Sequence, residues 1–127
     1  MDTSAIFSSY KLKDTSSLFA MAKLQHLIYL NKLYGVYQGT RSETADLEVD
    51  HHNCAFGKFY YSKGKEIYGD MPEFKDIESL HIKIHSSAHE VIRAVKNHDC
   101  LSSQEKINVT FDIAEELLQK LNVLVNK

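Results

Sequence analysis

The stretch FKDIESLHIKIHSSAHEVIRAV, residues 74–95, decides the fold. Phe74, Ile77, Ile84, Ala88, Val91 and Val95 recur at alternating steps of three and four, apart from one gap. That period puts them on one face of a helix. The residue that fills the gap is His81. Upstream, Asp70 followed by Pro72 predicts a helix start, with a capping side chain and a φ preset in the first turn. Downstream, Asn97-His98-Asp99 predicts the stop.

Two further segments carry the same period. Phe19, Ala22, Tyr29, Leu33 and Val36 form a stripe whose missing step is His26. Ser16 or Ser17 is the expected cap, and Gly39 the expected end. Other faces of this helix carry Leu18, Met21, Leu24, Leu27, Ile28 and Leu30. A helix so apolar around its circumference needs more than one neighbour, which points to a second chain as well as an internal core. The last helix is expected over 103–126, with a capping box of Ser102 and Glu105 and a stripe of Ile107, Phe111, Ala114, Leu118, Leu121 and Val125.

The remaining segments are less regular. Ile6, Phe7 and Tyr10 suggest a leading arm or short helix over 1–15, ahead of a bundle spanning 16–127. Between Thr40 and Met71, Gly57, Gly64 and Gly69 punctuate the chain, and Cys54 is read as the start of a short helix ending at Gly64. Phe56, Phe59 and Tyr60 are its expected anchors. No strand pattern of comparable strength competes. The expected fold is all-α, an antiparallel four-helix-bundle-like domain with short extra helices.

Composition narrows the function. The chain has 127 residues, 43% of them hydrophobic, enough for one domain with its own core. A net charge of −2 supplies no basic field for nucleic acid or an anionic membrane. The most apolar run, Leu18 to Leu30, is broken by Lys23, Gln25 and His26, too short and too polar for a membrane span. With no export signal at the N-terminus, a cytoplasmic location is expected, where Cys54 and Cys100 are free thiols unless a metal recruits one.

The seven histidines carry the chemistry. A histidine in an apolar stripe is costly unless its ring nitrogens find partners, and a hydrogen-bonded core histidine is the plain reading of any one of them. The coincidence argues for more. His26 and His81 each fill a stripe position on a different helix, and His85 follows His81 by one turn. Imidazoles at i and i+4 project from neighbouring spots, with Cβ atoms about 6 Å apart, and can chelate one ion. Cys54 is the natural fourth ligand, because thiolate with imidazole selects zinc over hard cations. His89 lies a turn beyond the pair and competes weakly. His51 and His52, next to Cys54, read as loop residues or as supports of the ligands, and His98 and Cys100 as surface residues of a predicted turn.

These residues match a known pattern. His26-Leu-Ile-Tyr29, the block Cys-Ala-Phe-Gly-Lys-Phe at 54–59 and His81-Ile-Lys-Ile-His85 together resemble the chemoreceptor zinc-binding domain family. Tyr29 stands where that family usually has Trp, Phe56 where it has an aliphatic residue, and Phe59 at a second Trp position. The resemblance covers roughly residues 16–96. It implies one Zn2+ held by His26, Cys54, His81 and His85, and a regulatory module rather than an enzyme, often dimeric. Such modules serve chemoreceptors or diguanylate cyclases and sense zinc, or hypochlorous acid through the zinc-bound cysteine. On that reading Cys54 is the redox switch. The 127 residues contain no receptor signalling hairpin and no cyclase domain, so the output partner is expected on another segment or a separate signalling protein.

Three rivals are weaker. A hemerythrin-like di-iron bundle needs inward carboxylates beside its histidines. A helical zinc hydrolase needs His-Glu-x-x-His, and Ile82 stands where the basic Glu would be. A structural dimerisation bundle without metal leaves the pairing of His26 with His81 and His85 to chance.

Overall fold

A computed structural model describes residues 15–125, so the leading arm expected over 1–15, with Ile6, Phe7 and Tyr10, lies outside the described residues but for Thr15. Three long helices dominate: α1 (Thr15–Gln38), α4 (Pro72–Lys96) and α5 (Cys100–Val125). Between α1 and α4 run a 3-10 turn (Ala45–Leu47), α2 (Ala55–Phe59), a π-helical turn (Tyr60–Gly64) and α3 (Lys65–Tyr68). No strand occurs among the described residues.

Pairings along the helices give their directions. Asp76 meets Lys120, Ser87 meets Thr110 and Glu90 meets Lys106, so α4 and α5 are antiparallel. Lys23 bonds Asn122 while Tyr34 touches Phe111, so α5 also runs against α1. His26 against His81 and Tyr29 against His85 make α1 and α4 parallel. Phe56 contacts His81 near the middle of α4 and Tyr60 stacks on Phe74 near its start, so the 55–68 segment descends between them. The result is an up-down-up-down bundle whose second member is short and segmented.

Local chemistry fixes the boundaries, in places differently from the sequence reading. Gly39, at φ 81°, ends α1 in a Schellman arrangement, with Thr40 N–H donating to the Gly35 carbonyl at 2.9 Å. Ser16 and Ser17, expected to cap α1, are already within it. Pro72 occupies the first turn of α4, but Met71 is the N-cap and makes no side-chain cap; Asp70 does not cap. At the far end, His98 takes the left-handed conformation at φ 56°, and Asp99 N–H reaches the Ala94 carbonyl at 2.9 Å. Asp99 then caps α5, accepting from Ser102 N–H at 3.1 Å. The expected capping box of Ser102 and Glu105 is therefore replaced, because α5 begins three residues earlier, at Cys100.

Half of the expected α5 stripe shifts by one residue, from Phe111, Leu118 and Val125 to Thr110, Leu117 and Leu124, while Ile107, Ala114 and Leu121 keep their places. Ile107, Thr110, Ala114, Leu117, Leu121 and Leu124 are buried, whereas Phe111 is 37% exposed. Thr110 can occupy a core position because its hydroxyl donates to the Lys106 carbonyl at 2.8 Å and meets Ser87 Oγ. The side chain of Val125 lies outside the described ones.

The short second member also runs further than expected, past Gly64 to Tyr68. Ser62 Oγ donates to the carbonyls of Lys58 and Phe59, competing with the helix ladder where the turn widens. Gly64 stays helical, and a Cβ there would come within 3.1 Å of the Phe59 carbonyl. Phe56, Phe59 and Tyr60 anchor the segment: Phe56 is fully buried, and Phe59 meets Phe19 edge-on.

Candidate metal centre

The middle of the bundle holds a buried cluster of imidazoles. His26 from α1 and His81 and His85 from α4 are each at most 4% exposed, and each offers a ring nitrogen within 4.8 Å of the other two. Parallel α1 and α4 bring the two stripe gaps to one level. Nearest-neighbour ring centroids are 5.2 Å apart for His26–His81 and 4.8 Å for His81–His85.

Backbone carbonyls aim two of the rings. His26 Nδ1 lies 2.8 Å from the Ala22 carbonyl one turn back, and His85 Nδ1 lies 2.9 Å from the carbonyl of Val49. A carbonyl can only accept, so Nδ1 carries the proton in both and Nε2 keeps its lone pair. That tautomer is the one a metal ligand needs. Burial, above all, pushes the pKa of His26 and His81 down, and that of His85 down to about 4. Repulsion from neighbouring histidines adds to the effect at His81 and His85. All three are therefore neutral at pH 7.

Cys54 approaches from the second member of the bundle. Its Sγ is 3.3 Å from His81 Nε2, though it stands outside the mutual cluster of the three histidines. The sulfur is the N-cap of α2, accepting from Gly57 N–H at 3.2 Å. With no cation present, burial holds the thiol's pKa up, at about 11. A bound divalent ion inverts that preference and keeps the sulfur as thiolate.

Two features missed in the sequence hold Cys54 in place. A Cβ on Gly57 would lie 1.8 Å from the His51 carbonyl oxygen, so only glycine lets the 50–54 turn close over α2. Tyr29 donates to the Leu47 carbonyl at 2.9 Å, tying α1 to the loop whose Val49 carbonyl orients His85. The Cys-x-x-Gly spacing was the available signal for the first; nothing local announces the second. A cleft of about 260 Å³ opens against His26, Cys54 and His85, beside Tyr29 and Asn53.

The donors fit zinc. Three neutral imidazoles and one sulfur are borderline-to-soft ligands, and four such groups close a tetrahedral site. With bonds of about 2.0 Å, ligand nitrogens stand about 3.3 Å apart, so small rotations of the rings bring them into range. Among the described residues no carboxylate joins the triad, which disfavours the di-iron arrangement. The other histidines lie elsewhere. His89 lines a separate cleft with Glu48, Arg93 and Lys96, while His98 and the exposed Cys100 belong to the α4–α5 turn.

Fold and site together define a helical-bundle metal-binding domain. A family model described as the chemoreceptor zinc-binding domain matches residues 26–92, more than half of the chain, and the chain belongs to that family. No curated protein and no solved structure matches it. Among the described residues, no helix is long and apolar enough to cross a membrane.

Proposed function

We propose that the chain is a zinc-responsive regulatory domain, spanning 16–127, that holds one Zn2+ through His26, Cys54, His81 and His85. The observation that carries this reading is the buried meeting of three neutral imidazoles with Cys54 Sγ 3.3 Å from His81 Nε2. When bound, zinc supplies a positive charge that keeps Cys54 as thiolate, its reactive form. The histidines are the frame, because α1 and α4 are long and packed along their length. Cys54 is the moving part. It sits at the head of a five-residue helix followed by a π turn, shorter and less regular than α1 and α4.

The thiolate of Cys54 is the proposed redox switch. Hypochlorous acid would convert it to a sulfenic acid with release of chloride, RS⁻ + HOCl giving RSOH + Cl⁻. Loss of the thiolate weakens the sulfur's hold and frees the 54–61 segment, and zinc withdrawal acts on the same segment. The domain would thus report zinc or oxidant to an output partner of chemoreceptor or cyclase type in the cytoplasm. The exposed apolar side chains Leu24 (58%), Leu27 (48%) and Ile28 (44%) on α1 support a homodimer.

Elemental analysis of the purified chain tests the site: about one zinc per chain is expected, with Cys54→Ser and His81→Ala each lowering zinc retention under chelation. Iron in place of zinc, or retention unchanged in both variants, overturns the assignment.

A further inference from the structure

A second group of ligand atoms lies just outside the buried triad. Asp50, His51 and His52 each offer one ligand atom within 4.8 Å of the other two. We propose that these three side chains form an outer site for a divalent transition-metal ion, separate from the His26, His81 and His85 centre.

The turn that carries them is held from several sides. Asn53 and Cys54 N–H both donate to the Asp50 carbonyl, at 3.0 and 3.2 Å. The His51 carbonyl packs where Gly57 has no side chain. Asp50 Oδ1 accepts from the backbone N–H groups of His52 at 2.7 Å and Asn53 at 3.2 Å, and Oδ2 accepts from Asn53 Nδ2 at 3.2 Å. A carboxylate has about four lone-pair sites, so three bonds fix the group and leave it capacity for a cation.

The rings are ordered as well. His51 and His52 centroids are 4.1 Å apart, and His52 stacks on Tyr61 at 4.6 Å with an interplanar angle of 25°. His52 Nδ1 stands 3.8 Å from Asp50 Oδ1, too long for a hydrogen bond, and the carboxylate's spare lone pair lies on Oδ2, which accepts one bond against the two of Oδ1. The Glu78 carboxylate acts electrostatically on both His51 and Tyr61, adding negative charge beside the group.

Two imidazoles and one carboxylate favour zinc, nickel or copper over magnesium or calcium. The side chains of Asp50 and His52 are more than half exposed, so water completes the coordination and the ion exchanges readily. The outer site also adjoins the inner one. The His51 ring centroid is 6.1 Å from that of His81.

The proposal goes beyond the inner zinc site and does not depend on it, and zinc binding to four forms of the full chain separates them. In equilibrium dialysis against Zn2+, the unaltered chain should take up two ions, the weaker lost first on washing. His52→Ala and Asp50→Asn should each lose the weaker ion and keep the tighter one, with helical circular dichroism unchanged because both residues are exposed. His81→Ala should lose the tighter ion and keep the weaker. Uptake of a single ion that His81→Ala removes and His52→Ala spares overturns the outer site and leaves the inner reading intact. A single ion removed by His52→Ala but spared by His81→Ala upholds the outer site and overturns the inner one. Two ions both insensitive to Asp50→Asn and His52→Ala place the second elsewhere and also overturn the proposal.

Discussion

Cys54 Sγ and His81 Nε2 stand 3.3 Å apart across 27 residues of chain, one at the head of α2 and the other inside the apolar stripe of α4. Bringing a half-buried thiol against a neutral imidazole sets the sulfur's chemistry by what joins the pair. Without a cation, desolvation keeps the thiol protonated, with its pKa near about 11. With one, the thiolate prevails. Limiting hypochlorous acid should therefore modify Cys54 first in zinc-loaded protein and the exposed Cys100 first in metal-free protein. Mass spectrometry of the two cysteine peptides checks the order, and the same order in both forms would count against the switch. Cleavage by protease near 54–61 should rise when Cys54 is oxidised or zinc is withdrawn, and not when Cys100 alone is oxidised.

The histidines predict a pH dependence of the metal-free fold. Burial lowers the pKa of His85 from 6.5 to about 4, and those of His26 and His81 move the same way. Below 6.5 the unfolded chain binds protons that the folded one refuses. Stability is then full above pH 6.5 and is lost progressively as pH falls toward about 4. Melting temperatures of chelated protein should fall across that window, and His85→Gln should flatten the slope. A flat profile in the unaltered protein would contradict the burial argument.

Gly57→Ala should be among the most damaging single changes in the chain. The added Cβ would sit 1.8 Å from the His51 carbonyl oxygen, and backbone rather than a flexible side-chain tip must move. Overpacking of this kind costs about 3 kcal/mol, taken from the 50–57 turn and the Cys54 cap. Amide exchange at Gly57 and Lys58 should accelerate more than at the α4–α5 hairpin.

The start of α5 offers a cleaner contrast. Asp99→Ala removes the carboxylate that accepts from Ser102 N–H and should destabilise by about 1 kcal/mol. Ser102→Ala and Glu105→Ala should each change stability by less than about 0.5 kcal/mol. Denaturant midpoints of the three variants decide between the two caps.

On α1, Leu24→Glu or Ile28→Glu should leave folding intact, since both side chains are largely exposed, yet convert the proposed homodimer to monomer. Light scattering that finds the unaltered chain monomeric would dispose of the dimer.

The sequence by itself determined the helical class, the stripes of α1 and α4, and the histidines that interrupt them. Apolar period and the cost of a buried imidazole are local properties, readable one residue at a time. Cys54 as the head of a short helix, and Gly39 as the end of a long one, were legible for the same reason. The phase of α5 was not. Phe111 and Leu118 keep the same helical spacing as Thr110 and Leu117, and the greater apolarity of Phe111 over Thr110 favours the first pair in sequence. Thr110 becomes an acceptable core residue because its hydroxyl bonds the Lys106 carbonyl and meets Ser87 across the α4–α5 interface, and the second partner is not local. The tertiary structure likewise decided that Asp99 caps α5, because the turn through His98 leaves only Asn97, His98 and Asp99 between the helices. It also decided what His51 and His52 adjoin. Their neighbours Tyr61 and His81 come from other elements, and closure of the turn over Gly57 sets the distances between them.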